Sequence, residues 1–236
     1  MTDFSQSRRN MVENQLRTSD ITDHRILDAM GAIPRERFVP ASKKAVAYID
    51  ANLPIGSEDT GRALMKPHVL GKLIQLADIR GEDVVLVIGA GTGYSAAVVS
   101  NLAASVVALE ENEDLAKAAT DVLVELGIEN AVVVEGPLAK GYAAEGPYDV
   151  ILIDGAVEVL PETLTEQLKP GGRLTVVEGR GGAGSAKLYQ KSANAVSSRF
   201  GFNASVNVLP GFERLLRLNS SSCETGGWRK FRGKRR

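Results

Sequence analysis

Three glycines at alternate positions, Gly89-Ala90-Gly91-Thr92-Gly93, follow the β-branched run Val84 to Ile88 and lead into Tyr94 and a helix-forming stretch. Glycine adopts positive φ without penalty and lets a ligand approach the main chain, so the turn reads as a nucleotide-type cradle at the mouth of a strand. Its spacing narrows the ligand. The dinucleotide fingerprint has its third glycine five positions after the first; here Tyr94 stands at that place and the third glycine comes one residue early, which disfavours a nicotinamide dinucleotide. Glu110 ends the next apolar run, about twenty residues on, where a carboxylate accepts hydrogen bonds from both hydroxyls of a ribose. Glu111 beside it offers the same chemistry. Together these features suit an adenosine ligand without a pyrophosphate, the bland alternative being a purely structural turn. Asp154, in Ile153-Asp154-Gly155-Ala156, closes a later apolar run. A carboxylate there can stabilise positive charge, orient a substrate, or cap the helix that follows.

Positioning such groups takes an alternation of strands and helices. Val84 to Ile88, Val106 to Leu109, Ala131 to Val134, Val150 to Ile153 and Leu174 to Val177 are compact apolar runs separated by helical stretches such as Asp114 to Leu126 and Glu162 to Leu168. This pattern predicts a parallel sheet covered by helices, with every strand's carboxyl end along one edge. Ser205 to Leu209 and Leu215 to Leu218, parted by Pro210-Gly211, are expected to close the sheet as an antiparallel pair. Upstream, Met11, Val12, Leu16, Ile21, Ile26, Leu27 and Met30 recur at near-helical intervals broken at Thr18-Ser19-Asp20, which predicts two short helices. Pro34 and Pro40 turn the chain, and Pro67 suits the first turn of a helix reaching about Ala77.

The chain of 236 residues fits one large α/β domain with a modest extension. Residues 1–80 form a helical and substrate-loop extension, 81–220 the ligand-binding core, and 221–236 a basic tail expected to lack order. Hydrophobic residues make up 44% of the chain and aromatics only 5%, so the interior is expected to be built from Ala, Val, Leu and Ile. The single cysteine, Cys223, cannot form an internal disulfide, and the polar start carries no signal-peptide core, so a reducing cytoplasm is expected. No apolar run is long enough to span a membrane. The formal charge of −1 hides six positive charges between Arg229 and Arg236, without which the rest stands at about −7. With Trp228 and Phe231 interleaved, that tail is the one hint of a nucleic-acid or acidic partner, against which stands a solvated chain end.

Longer stretches carry a resemblance. Met11-Val12-Glu13-Asn14-Gln15-Leu16-Arg17, Ile21 to Met30 and Ile33-Pro34-Arg35-Glu36-Arg37-Phe38-Val39-Pro40 are followed by Leu53-Pro54-Ile55-Gly56, the glycine turn with Tyr94, Gly146-Pro147-Tyr148-Asp149 and Gln167 to Leu174. In this order and over nearly its whole length the sequence resembles the protein-L-isoaspartate O-methyltransferase family. The resemblance implies a Rossmann-like class I fold that binds S-adenosyl-L-methionine, and methyl transfer to the free carboxylate of isoaspartyl residues in damaged proteins or peptides. Gly89, Ala90, Gly91, Thr92, Gly93, Tyr94, Glu110, Glu111, Pro137 and Leu138 then line the cofactor site, and no metal is called for. A carboxylate acceptor is already ionised near neutral pH, so positioning rather than a strong base supplies the rate.

Three positions depart from the family pattern. Val87 stands where the family carries an acid that holds the methionine amino group. Gly136 is followed by Pro137 and Leu138 rather than by an aspartate that reaches the adenine, which leaves the Leu138 N–H to meet the ring. Thr60 to His68 replaces a shorter segment, with Met65 at the place of a serine beside the methyl group. Thr60 or Arg62 is expected to take over there, the guanidinium gripping a carboxylate bidentately, with Asp154 as the third catalytic candidate. The competing readings are an O-methyltransferase for a different carboxylate or hydroxyl, and a non-catalytic member that no longer holds the cofactor.

Overall fold

The computed structural model describes residues 3–57, 61–180 and 183–214. Helix α1 (Phe4–Met11) is capped by Asp3, whose carboxylate accepts from the Ser5 and Gln6 amides, and it runs on through a wider turn at Val12–Leu16 to Ser19. Helix α2 (His24–Ala32) starts on an Asp23 cap. Short 3-10 turns over Arg35–Arg37 and Ala41–Val46 lead to a two-stranded hairpin, β1 (Leu53–Pro54) with β2 (Ala63–Leu64). Pro67 opens α3 (Pro67–Ala77), where its missing N–H costs nothing.

The core then alternates as its sequence predicts: β3 (Val84–Ile88), α4 (Tyr94–Val99), β4 (Ser105–Glu110), α5 (Glu113–Glu125), β5 (Ala131–Glu135), β6 (Tyr148–Val157), α6 (Glu162–Glu166) and β7 (Leu168–Arg180). Strands β8 (Ala183–Lys191) and β9 (Val196–Ala204) complete a seven-stranded sheet of order β5-β4-β3-β6-β7-β8-β9. The first five pair in parallel, and β8 and β9 run antiparallel. Central β3 is buried on both faces, which is why its sequence is continuously apolar rather than alternating.

The antiparallel pair is present but built from other residues than expected. Ser205 to Leu209 forms no strand of its own; Val208 makes a single parallel bridge to Ala156, and the segment crosses the carboxyl edge of the sheet as a strap. Residues 215–218 and the basic tail lie outside the described residues. Strands β6 and β7 are longer than their apolar centres: β6 passes through an irregularity between Leu152 and Ala156 that holds Asp154 and then pairs again to Val157, and β7 runs on against β8 to Arg180.

Helices α1 to α4 share one apolar cluster on one side of the sheet, in which Met11, Leu16, Ile26, Met30, Leu70 and Ile74 meet Val85, Val87 and Tyr94. Leu86, Ile88, Ile151, Ile153, Leu164 and Leu209 form a second cluster on the other side. No helix among the described residues is long and apolar enough to cross a membrane.

Candidate active site

The chain leaves β3 for β4 and β5 on one side and returns on the other side at β6. At such a reversal the strand ends diverge and leave a crevice. Gly89, Gly91 and Gly93 line it with φ of 78°, 58° and 94°, in the region that side chains avoid. The amides of Gly89 and Ala90 donate to Leu109 O at 2.9 and 3.1 Å, which fastens the turn to the end of β4. Thr92 is tied to the N-terminal extension, its hydroxyl donating to Phe38 O at 2.6 Å.

Of the two adjacent acids, the structure turns one inward. Glu111 is exposed, and its amide donates to the fully buried carboxylate of Glu110. Glu110 also accepts from the amides of Gly91 at 2.7 Å and Asn112 at 3.1 Å. Its remaining capacity is taken by Arg62, whose Nη1 donates to Oε1 at 3.0 Å and Nη2 to Oε2 at 2.8 Å. Nη2 reaches Gly89 O at 2.9 Å as well. Arg62 is therefore not a surface-loop charge: it is 6% exposed and sits in the seat expected for a ribose.

Two apolar side chains complete the cover. A Cβ on Gly91 would stand 2.6 Å from Ile55 Cδ1, and one on Gly89 would stand 2.8 Å from Leu209 Cδ1, so hydrocarbon rests directly on the glycine backbone. The hairpin and the strap are stitched together over the crevice. Asn207 Nδ2 donates to Gly61 O at 3.0 Å and Asn52 Nδ2 to Ser205 O at 3.2 Å, while Ile55 N donates to Arg62 O at 3.0 Å.

Asp154 lies across the crevice from Glu110. It caps no helix, because β6 continues to Val157 and α6 begins only at Glu162 behind Pro161. Its residue is 7% exposed and its Oδ1 has no hydrogen-bond partner. Burial pushes its carboxyl up to about 6; the nearby Ser95 hydroxyl and the charges of Arg62 and Arg35 pull the other way, and Glu110 adds to the rise. Arg35 is fully buried, with Nε donating to Ala47 O at 2.8 Å and Nη2 to Met65 O at 2.7 Å, and its guanidinium lies 4.8 Å from the centroid of the Tyr94 ring. Tyr94 packs edge-on against Phe38 and is itself fully buried, below the turn rather than in the crevice.

The other predicted positions separate. Pro137 is exposed at the foot of a short turn, while the Leu138 side chain is buried in the second apolar cluster. Thr60 lies outside the described residues. His68 pairs through Nδ1 with the Asp50 carboxylate at 2.7 Å, away from the glycine turn. Sequence reasoning missed Arg35, Ile55 and Leu209. Arg35 stands among charged neighbours, Arg35-Glu36-Arg37, and Leu209 in a run that reads as a strand; only the fold buries Arg35 against Tyr94 and seats Ile55 and Leu209 on the turn.

A glycine turn, a buried acid at the end of the neighbouring strand and a helical N-terminal extension share a match over residues 6–207 to the model of protein-L-isoaspartate(D-aspartate) O-methyltransferase. The chain belongs to this family. Its family relatives include the protein-L-isoaspartate O-methyltransferase of Methanoculleus marisnigri, 41% identical over 73% of this chain and 77% of the relative. That of Methylorubrum extorquens is 37% identical over 89% of this chain and 91% of the relative. Among solved structures, one protein-L-isoaspartate O-methyltransferase superposes with a TM-score of 0.77 at 28% identity, over 86% of this chain and 66% of that one. A putative family member from Plasmodium falciparum, solved with S-adenosyl-L-homocysteine, gives 0.71 at 18% identity and shares the fold. The family is one of protein carboxyl O-methyltransferases that use S-adenosylmethionine, and the donor set here fits that nucleoside: Glu110 already receives two adjacent N–H donors at its two oxygens, as it would receive the two hydroxyls of a ribose. Arg62 and a nucleoside cannot hold Glu110 in this way together.

Proposed function

We propose that this chain methylates the free carboxylate of isoaspartyl residues in damaged proteins or peptides, and that its Glu110 exchanges Arg62 for the cofactor ribose. The observation that carries this reading is the two-oxygen grip of Glu110 beside three positive-φ glycines. When bound, S-adenosylmethionine supplies a methyl group on a sulfonium, which an already ionised carboxylate attacks without a general base. Glu110 holds the nucleoside in register through an acceptor pair fixed by the Gly91, Glu111 and Asn112 amides. Arg62, once released, keeps a charge that must find a new anion, and a substrate carboxylate at the same crevice meets that need bidentately. Ile55 and Leu209, which rest on Gly91 and Gly89, withdraw with Arg62 to admit the nucleoside to the turn, and alignment of the reacting groups supplies most of the rate. A reducing cytoplasm suits a chain with one cysteine.

A second reading, a member that has given up the cofactor, is favoured by the same Arg62–Glu110 pair, which closes the seat, and by Val87, which brings only hydrocarbon to the end of β3. Two measurements separate them. Calorimetry with S-adenosylhomocysteine is expected to show binding at one site, and labelled methyl groups are expected to pass to an isoaspartyl peptide but not to its aspartyl counterpart. Binding without transfer to the isoaspartyl peptide points to another carboxylate or hydroxyl acceptor. Absence of binding establishes the non-catalytic member.

A further inference from the structure

The cofactor carries an α-amino group, positively charged at neutral pH, at the opposite end from its adenine, and a buried ammonium needs an anionic acceptor. The last residues of β3, Val87 and Ile88, offer none, being fully buried and apolar. Glu110 is committed to the ribose side of the turn by three backbone amides. Among the described residues, the remaining buried carboxylate at the crevice is Asp154.

The sheet register places it. Ile88 pairs with Ile153 as the last rung between β3 and β6, so Gly89 and Asp154 follow at adjacent strand ends, where the two chains diverge. Gly155, next along β6, lets the strap close over this strand end, since a Cβ there would stand 2.5 Å from Leu209 Cγ. A buried carboxylate oxygen without a partner is a costly arrangement that a fold retains only with compensation. Asp154 Oδ1 is such an atom, and the Ser95 hydroxyl, fully buried at the first turn of α4, is the neutral group close enough to act on this carboxylate.

We propose that Asp154 is the group that holds the α-ammonium of the cofactor's amino-acid end, with Ser95 beside it as a positioning hydroxyl. A carboxylate on β6 thus does the work that the hydrocarbon of Val87 on the adjacent β3 cannot. The proposal rests on the cofactor reading given above, and the test keeps the two apart.

Three probes are titrated calorimetrically into the full chain and its Asp154→Asn variant. S-adenosylhomocysteine carries the whole amino-acid end, decarboxylated S-adenosylmethionine keeps only the amine, and 5′-methylthioadenosine has neither group. Asparagine is expected to weaken the first two by about tenfold or more, the size of one lost charge-assisted hydrogen bond, and to leave methylthioadenosine unchanged. Equal loss for all three probes, or no loss for the two amines, overturns the assignment. If none binds the unaltered chain, the cofactor reading falls and the assignment with it. Asp154→Ala is run in parallel, with thermal unfolding of each unliganded variant to show that it is folded; a purely structural aspartate would lower all three affinities in step with stability.

Discussion

Arg62 and Glu110 show what a single contact means at a ligand seat. Desolvating two charges costs several kcal/mol each, and the pair persists because Glu110 is also held by three amides and Arg62 by Gly89 O. Removing one partner leaves the other buried and uncompensated. Arg62→Ala is therefore expected to lower unfolding free energy by about 3 kcal/mol in denaturant titrations. Because the side chain that competes for Glu110 is gone, the same variant is expected to bind S-adenosylhomocysteine more tightly while its KM for an isoaspartyl peptide rises. A weaker affinity for the homocysteine compound would make Arg62 part of the seat instead of a rival for it. Asp154 gives a pH signature. Its carboxyl is raised from 3.8 to about 6, so the folded chain holds the proton more tightly than the unfolded one. That contribution is full below about pH 4 and is lost as pH rises through about 6, beyond which an ionised buried carboxylate weighs on the fold. Asp154→Asn should then stabilise the unliganded protein near pH 7.5 by up to roughly 3 kcal/mol, with a gain that shrinks toward pH 5. Unfolding curves at the two pH values check the sign.

At the scale of elements, the crevice is governed by the β1–β2 hairpin and the strap at 205–212. Neither belongs to the parallel core, and both are anchored by side-chain amides: Asn52 to Ser205 and Asn207 to Gly61. The strap is also paired to β6, with Ala156 N donating to Asn207 O at 2.8 Å and Leu209 N to Ala156 O at 2.9 Å. A ligand that binds only after the hairpin withdraws has its apparent affinity reduced by the fraction of molecules that are open. Loosening one stitch shifts that fraction. Asn207→Ala removes one exposed hydrogen bond worth up to about 1 kcal/mol, so S-adenosylhomocysteine affinity should rise by up to about fivefold, seen as a faster association rate in stopped flow. An unchanged rate would mean that the strap does not gate the turn.

At the scale of the molecule, the N-terminal extension is part of the scaffold that shapes the site. Met11, Leu16, Ile26 and Met30 are buried in the same cluster as Val85, Val87 and Tyr94, and Thr92 of the glycine turn is tied to Phe38. A chain begun near residue 80 would expose that face of β3 and α4. Such a fragment is expected to lose cooperative unfolding and to fail to bind S-adenosylhomocysteine, which circular dichroism with denaturant and calorimetry would show. A cooperatively folded fragment would make residues 1–80 a separable unit.

Much of this was already determined by the order of residues along the chain. Local rules reach it: continuous apolar runs make buried parallel strands, Gly89, Gly91 and Gly93 take positive φ at little cost in a turn between strand and helix, and Pro67 starts a helix. Glu110 was legible because a strand's end and a fixed spacing define its position. Which of Glu110 and Glu111 turns inward, and that Asp154 lies within a strand instead of capping a helix, depended on ladder register, since a shift of one residue reverses the face of every side chain. The burial of Arg35 and Arg62 and the seating of Leu209 on Gly89 were decided by tertiary structure alone. They join residues 12 to 120 positions apart, and no local propensity records which distant carbonyl or carboxylate will take a guanidinium out of water.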